Sequence, residues 1–433
     1  MVLNIFYLVA ALLALPWVAW RRLSGGRPVA APWTRFTGGI EPLRPPLYPR
    51  IWLHGVSVGE VQLLAGLAAE IRRQADAAGR AVDCVISSST TTGLEVAARR
   101  FEPDRTFPCP LDFTWAVHRV LDRVQPDLLV LGELELWPNL IVRTARRGIP
   151  IIVVNGRLGP RSAAGYARIA PLVRGVLGRV SLVMARSPED GARFTALGAP
   201  RVVVAGSLKF DGVQGNRSDP EVVRLRSLAG VPDDAPVFLA GSTQAPEEEF
   251  AIEAFRAVER AHPRLRLVLV PRHVERAGEV AALLDRSGLR WQRRSRLDAE
   301  PADPAARVLL VDTTGELGRW WGTATIAFVG GSLDGRRGGQ NMLEPAAYGA
   351  AVCFGPHTRN FAREVETLLA ADAAEVVADA AALRVFVARC LDEPTRAEAL
   401  GKRAAAAVEA NRGATAATAQ EILRRLPART RFR

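Results

Sequence analysis

The sequence predicts an α/β protein of two doubly wound domains facing each other across a cleft, preceded by an N-terminal membrane anchor. Three observations carry the prediction. Short apolar runs alternate with amphipathic stretches along most of the chain, the pattern of βαβ units and a parallel sheet. The alternation halts at a Gly- and Asp-containing joint, Gly206–Gly215, and then begins again. Residues Ile5–Trp20 are uncharged and rich in Leu, Ala, Val and aromatics, with Arg21-Arg22 directly after them.

At 433 residues the chain exceeds one ordinary core and suits two domains. Hydrophobic residues at 48% and charged residues at 24% are globular usage and exclude general disorder. The net charge of +12 raises nucleic acid as a partner, but basic residues are interspersed with acids and no basic run interleaves with aromatics, so no nucleic-acid partner is expected. Cys84, Cys109, Cys353 and Cys390 are scattered without a CxxC pair, which suggests neither a zinc site nor a disulfide frame.

Residues 1–22 form the expected anchor. The apolar run is slightly short for a full span and contains Pro16, so a shallow seat and a spanning helix both remain open. A cleaved signal peptide would carry its charge ahead of the run, whereas here the Arg pair follows it, and the positive-inside rule puts the rest of the chain in the cytoplasm. Residues 23–50 are a linker, proline-rich and extended over 42–50. The first domain, 51–207, has strands at Ile51–Leu53, Val82–Ser87, Leu128–Leu131, Pro150–Val154, Leu182–Ala185 and Arg201–Val204. The second, 208–405, has them at Val237–Ala240, Leu265–Val270, Val308–Val311, Ile326–Val329 and Ala351–Phe354. A long Ala-rich helical stretch, Pro394–Leu426, leads through 406–433.

Unusual residues gather just after the strands. In His54-Gly-Val-Ser-Val-Gly-Glu60, Ser57-x-x-Glu60 has capping-box spacing, and spacing alone favours that reading of Glu60. A carboxylate at the mouth of a sheet flanked by Gly55 and Gly59 also suits a general base. Gly132-Glu-Leu-Glu-Leu-Trp-Pro-Asn139 places Glu133 and Glu135 two residues apart, projecting alike if the strand continues; they are either polar-ligand contacts or acids at a helix start. Gly241-Ser-Thr-Gln244 offers amides and hydroxyls to an anion, or N-caps a helix through Ser242 or Thr243. Arg272 and His273 at a strand end suit a phosphate or carboxylate. In Gly330-Gly-Ser-Leu333 and then Gly338-Gly-Gln-Asn-Met-Leu-Glu-Pro345, a strand ends in two glycines, and Asn341 and Glu344 open a helix whose bare amides would cradle one phosphate, with Glu344 on sugar hydroxyls. This is neither a P-loop nor the dinucleotide fingerprint, and no carboxylate cluster of metal-ligand spacing adjoins it, so neither metal nor cofactor is required.

These segments, with Val154–Arg157, Gly206–Asp211 and Gly315-Glu316, occur in an order that resembles the 3-deoxy-D-manno-octulosonic acid (Kdo) transferases of Gram-negative inner membranes. The resemblance implies a GT-B fold of two Rossmann-like domains, CMP-Kdo as donor and a lipid A precursor, lipid IVA, as acceptor. It also implies inversion without metal, Glu60 as the base, and work at the cytoplasmic face of the inner membrane against phospholipid. Acceptor-side residues would be Ser57, Gly59, Glu133, Glu135, Asn139 and Arg157. Donor-side residues would be Lys209, Ser242, Thr243, Arg272, His273, Gly331, Ser332, Asn341 and Glu344. Three positions depart from the family pattern: Gln340 and Gln244 where relatives show His, and Leu134 where they show Thr. Gln donates a hydrogen bond but carries no charge at neutral pH. The competing readings are a GT-B transferase or epimerase using a UDP-sugar, and a tethered binding protein that has lost catalysis.

Overall fold

The structure, a computed structural model, describes residues 3–9, 13, 31–102, 105–213 and 215–427. The chain parts into two compact units, Met1–Gly212 with Arg412–Arg433, and Val213–Asn411.

The first unit is built on β1 (Arg50–Gly55), β2 (Asp83–Ser88), β3 (Thr106–Pro108), β4 (Leu128–Gly132), β5 (Ile151–Gly156), β6 (Leu182–Ala185) and β7 (Val202–Val204). All pairs are parallel, in the order β3-β2-β1-β4-β5-β6-β7. Parallel neighbours need crossovers, and the helices that supply them cover both faces of the sheet. That is why β1, β4 and β5 are buried at every position and read as apolar runs rather than alternations. Winding proceeds from β1 outward to β3 on one side and from β4 outward to β7 on the other. The β1/β4 junction is therefore the switch point, where the loops after the two strands diverge and leave room for a ligand.

The second unit repeats the plan with β8 (Val237–Thr243), β9 (Arg266–Pro271), β10 (Trp291–Arg293), β11 (Val308–Leu310), β12 (Ile326–Val329), β13 (Ala351–Phe354) and β14 (Glu375–Val376). The order is β10-β11-β9-β8-β12-β13-β14, again all parallel, and the switch point lies between β8 and β12. Every strand expected from the sequence is present. The three not foreseen, β3, β10 and β14, are two or three residues long and sit at sheet edges, too short to leave a period.

Two expectations about the chain ends need correction. The single long C-terminal helix is two helices, Pro394–Ala410 and Ala414–Arg425, broken where Gly413 takes φ 102. The first belongs to the second unit. The other lies on the helix Val58–Ala77 of the first unit, burying Ala419 and Ile422 in one cluster with Leu64, Leu67 and Ile71. Asp211 holds the turn, accepting the amides of Gly413 (2.7 Å) and Thr415 (2.6 Å).

The expected linker 23–50 is not bare chain throughout. Residues Pro32–Thr37 are helical, and buried Arg35 donates to the carbonyls of Cys109 (2.8 Å) and Ser89 (3.1 Å). Residues 42–49 are free of helix as expected, and Arg50 pins their end to the sheet by donating to Asp83, Val124 O and Arg44 O. Most of the expected anchor, residues 1–22, lies outside the described residues; of it, 3–9 are helical. Among the described residues no helix is long and apolar enough to cross a membrane.

Replacing Ile422 by Ala removes side-chain volume from a fully buried site that closes the first unit. The expected result is a loss of about 2–5 kcal/mol from that unit, measured as an earlier urea transition.

Candidate active site

At the switch point of the first unit, the loop after β1 turns into the helix Val58–Ala77 with Ser57 as N-cap. The capping box is fully formed. Ser57 Oγ accepts the Glu60 amide (3.3 Å) and donates to Glu60 Oε1 (2.8 Å); Oε1 also accepts the Ser57 amide (3.3 Å) and Oε2 the Val56 amide (3.0 Å). Capping and catalysis do not exclude one another here. Each carboxylate oxygen has two lone pairs, and Oε2 spends only one on the backbone. The cap thus fixes the Glu60 carboxylate in one orientation with acceptor capacity left over. Gly55 makes this possible, because a Cβ there would stand 3.1 Å from the Glu60 Cβ and 3.0 Å from Leu64.

Across the switch point β4 ends at Gly132, so Glu133 and Glu135 do not continue the strand as expected. Glu133 takes a left-handed backbone (φ 52) and Glu135 lies in the loop that leads to the helix Pro138–Arg146. The two carboxyls still reach the same region. Burial raises the Glu133 pKa and the Glu60 charge adds to this, while Arg186, Lys209 and Arg157 pull it back. Burial, then Glu60 and Glu133, push Glu135 up to about 7 against the bond it accepts from Trp137 Nε1 (2.8 Å). Three carboxyls with three cations around them can hold a polar ligand and exchange a proton near neutrality.

Several expected site residues have other employment. Asn139 is buried: its amide donates to Asp112 Oδ2 (2.9 Å), and its side chain donates to the Asp112 carbonyl and to Asn4 Oδ1 (3.2 Å). Asp112 also accepts the Leu140 amide (2.8 Å), so it caps the helix Pro138–Arg146, and burial lifts its pKa to about 6. Lys209, grouped with the donor side from sequence, lies in the first unit beside Glu133. Arg157 and Gly59 are exposed, and a Cβ at Gly59 would meet Ser57 Oγ at 3.9 Å.

In the second unit the loops after β8 and β12 meet at the other switch point. The amides of the loop after β12 are already taken. Glu247 accepts the amides of Gly331 (2.6 Å) and Gln244 (3.0 Å) on Oε2, and those of Ser332 (3.0 Å) and Leu333 (3.1 Å) on Oε1. Ser332 is buried, its hydroxyl donating to Val329 O (2.6 Å) and accepting the Gly355 amide (2.8 Å). Neither Ser242 nor Thr243 caps a helix. Both end β8, and the helix Glu247–Val258 starts at Pro246 without a side-chain cap. Thr243 Oγ1 is buried with no hydrogen-bond partner among the described residues.

Of the remaining donor-side residues, Asn341, Glu344 and Arg272 converge. Asn341 donates to Glu344 Oε1 (3.0 Å) and accepts the Leu343 amide (3.2 Å). Burial raises the Glu344 pKa; bonds from Asn341 and Trp321 and the charge of Arg272 oppose it. Arg272 and His273 are exposed after β9, the Arg272 amide donating to Thr243 O (2.9 Å). Gln340 and Gln244, the two departures from His, both lie beside Gly331. Among the described residues no group of three or more His, Cys, Asp or Glu is placed to hold a metal ion. Glu247, Asp112 and Trp321 escaped sequence reasoning. Glu247 stands in a run of three acids, and nothing in the run separates it from Glu248, which pairs with Arg276 (2.7 Å), or from exposed Glu249.

The folded chain holds the Glu135 proton more tightly than the unfolded chain, so this group withdraws stability as pH rises from about 4.5 to about 7. Glu135→Gln is expected to flatten that loss, seen as a smaller fall in Tm between about pH 5 and about pH 8 than in the unaltered protein.

Residues 32–212 match the family described as 3-deoxy-D-manno-octulosonic-acid transferase (kdotransferase). The chain is 34% identical to the 3-deoxy-D-manno-octulosonic acid transferase of Bordetella pertussis over 93% of each chain. It is 35% identical to that of Haemophilus influenzae over 84% of each. In three dimensions it is similar to UDP-GlcNAc 2-epimerase from Neisseria meningitidis, with a TM-score of 0.56, 12% identity and coverage of 87% of this chain and 99% of that one. That likeness speaks for the GT-B-like α/β fold alone. With the identity spread over nearly the whole length of its relatives, the chain belongs to the Kdo transferase family and is a glycosyltransferase.

Proposed function

We propose that this enzyme transfers Kdo from CMP-Kdo to lipid IVA, with inversion, without a metal, and with Glu60 as the base. The observation that carries the reading is the Glu60 carboxylate, oriented by three hydrogen bonds from Ser57 and Val56 at the switch point, with a lone pair on Oε2 left for a substrate hydroxyl. Glu60 takes the proton of the acceptor hydroxyl as its oxygen bonds to the anomeric carbon of Kdo. The bond from that carbon to the phosphate oxygen breaks, its electron pair leaves with CMP, and attack from the opposite face inverts the centre. Glu133 and Glu135, with Arg157 and Lys209, line the acceptor side. Arg272, Glu344 and Asn341 serve the donor: Glu344 suits ribose hydroxyls and Arg272 the single phosphate.

The acceptor is an amphiphile, and the amino terminus suits a bilayer surface. Over residues 3–9, Asn4 and Tyr7 bond to Thr114 and Asp112 of the body, while Ile5, Phe6 and Val9 are exposed. We infer that the segment rests with this apolar side in the cytoplasmic leaflet of the inner membrane, where the Arg residues that follow meet anionic phospholipid.

Glu60→Gln is expected to lower kcat for transfer from CMP-Kdo to lipid IVA by roughly 10²–10⁴-fold, with CMP binding unchanged; near-normal turnover removes Glu60 from the mechanism. In competition binding CMP should displace the donor and UDP should not, and a preference for UDP overturns the donor assignment. Phe6→Asp with Val9→Asp is expected to release the protein from vesicles containing anionic phospholipid, measured by sedimentation.

A further inference from the structure

The glycine loop after β12 has the form of an anion nest, with consecutive amides of Gly331, Ser332 and Leu333 pointing to one spot. An anion already sits in it, supplied by the chain itself. Glu247 is 3% exposed and accepts four amides, two on each oxygen, which uses every lone pair a carboxylate has. The packing leaves no slack. A Cβ on Gly330 would lie 2.7 Å from Glu247 Oε2 and 2.6 Å from the Thr243 Cα, so the loop, the carboxylate and the end of β8 are in mutual contact. A donor phosphate could use these amides only by expelling Glu247 and leaving its charge buried without partners, a costly exchange.

We propose that Glu247 is a positioning residue for the donor half-site, an internal anion that fixes the β12 loop and leaves recognition of the donor's acidic groups to the side chains around it. The inference rests on the reading of the second unit as the CMP-Kdo site. Those side chains are in place. The amide nitrogens of Gln340 and Gln244 stand 3.4 and 3.5 Å from where a Gly331 Cβ would be, both against the locked loop. Beside them opens a cavity of about 320 Å³ lined by Gln244, Phe250, Leu333 and Arg337, with Asp334 and Asp379 also on its wall. With Gly331 and Gln244 tied to one carboxylate, the two glutamines and the cavity wall keep a fixed spacing before any ligand arrives. Such preorganisation is what an anion site without a metal needs.

Glu247→Gln tests the idea with no change of size, because the amide offers one acceptor oxygen and turns an NH₂ group towards backbone donors. The expected result is a folded enzyme whose KM for CMP-Kdo and Kd for CMP rise by roughly tenfold, the effect of losing hydrogen bonds to a charged acceptor, while the acceptor KM stays within about twofold. Hydrogen exchange of the segment 329–334 should accelerate in the same variant. Unchanged CMP affinity in a folded Glu247→Gln protein overturns the proposal, and so does a parallel rise in donor and acceptor KM, which marks a loss of general stability only. If the variant does not fold, the unaltered enzyme decides. Segment 329–334 protected without ligand, and no further protected by CMP, supports the internal anion; amides that exchange freely until CMP is added overturn it. Failure of the donor reading looks different, since the unaltered enzyme would then not bind CMP at all while Glu247→Gln would still speed exchange of the loop.

Discussion

A parallel strand covered by helices on both faces can place polar groups only at its ends. In this chain the ends that matter are those where winding reverses, β1 beside β4 and β8 beside β12. Elsewhere along the carboxyl edge the loop from each strand runs over its neighbour on the way to a crossover helix. At the two reversals the loops part, so side chains that follow Gly55 and Gly132 come together in the first unit, and those that follow Thr243 and Val329 come together in the second, although each pair is far apart in sequence. Both halves of the enzyme derive from this constraint of strand order.

The two reversals are closed by the same device with opposite outcomes. In each, a glutamate in the first turn of a helix accepts amides from its own loop, Glu60 from Val56 and Ser57, Glu247 from Gln244 and the β12 loop. Glu60 stays half-buried with acceptor capacity to spare, and so can act on a substrate. Glu247 is buried and fully subscribed, and so can only hold its surroundings in place. Counting lone pairs distinguishes the reactive carboxylate from the structural one, where residue type and position in the helix do not. The acids near Glu60 add a third state. Glu135, partly removed from water and crowded by two like charges, has its pKa pushed up to about 7.

Much of the fold was legible, and the misses share a cause. Interior strands announce themselves as apolar runs because both faces are buried; β3, β10 and β14 pair on one side only and are too short for a pattern. The candidate loops were legible as loops, but the duties within them were not. Asn139 and Ser332 look like ligand contacts and are spent on Asp112 and on the β12–β13 junction, since a buried polar group must find partners wherever the backbone offers them. Leu134 has a plain consequence: it packs against the core of the first unit, as an apolar side chain in that turn should.

The amino-acid order by itself determined the α/β class, the interior strands, the helix start at Ser57, the carboxylate-bearing loops and the family. Each depends on neighbours a few residues away or on the spacing of a motif. Only the tertiary structure decided which loops meet, that the C-terminal helix returns to the first unit, that Lys209 stands with Glu133, and that Glu247 fills the nest after β12. Those outcomes depend on strand order and on competition among buried polar groups for a limited set of partners. Such competition is settled between segments distant in sequence, where local pattern carries no information.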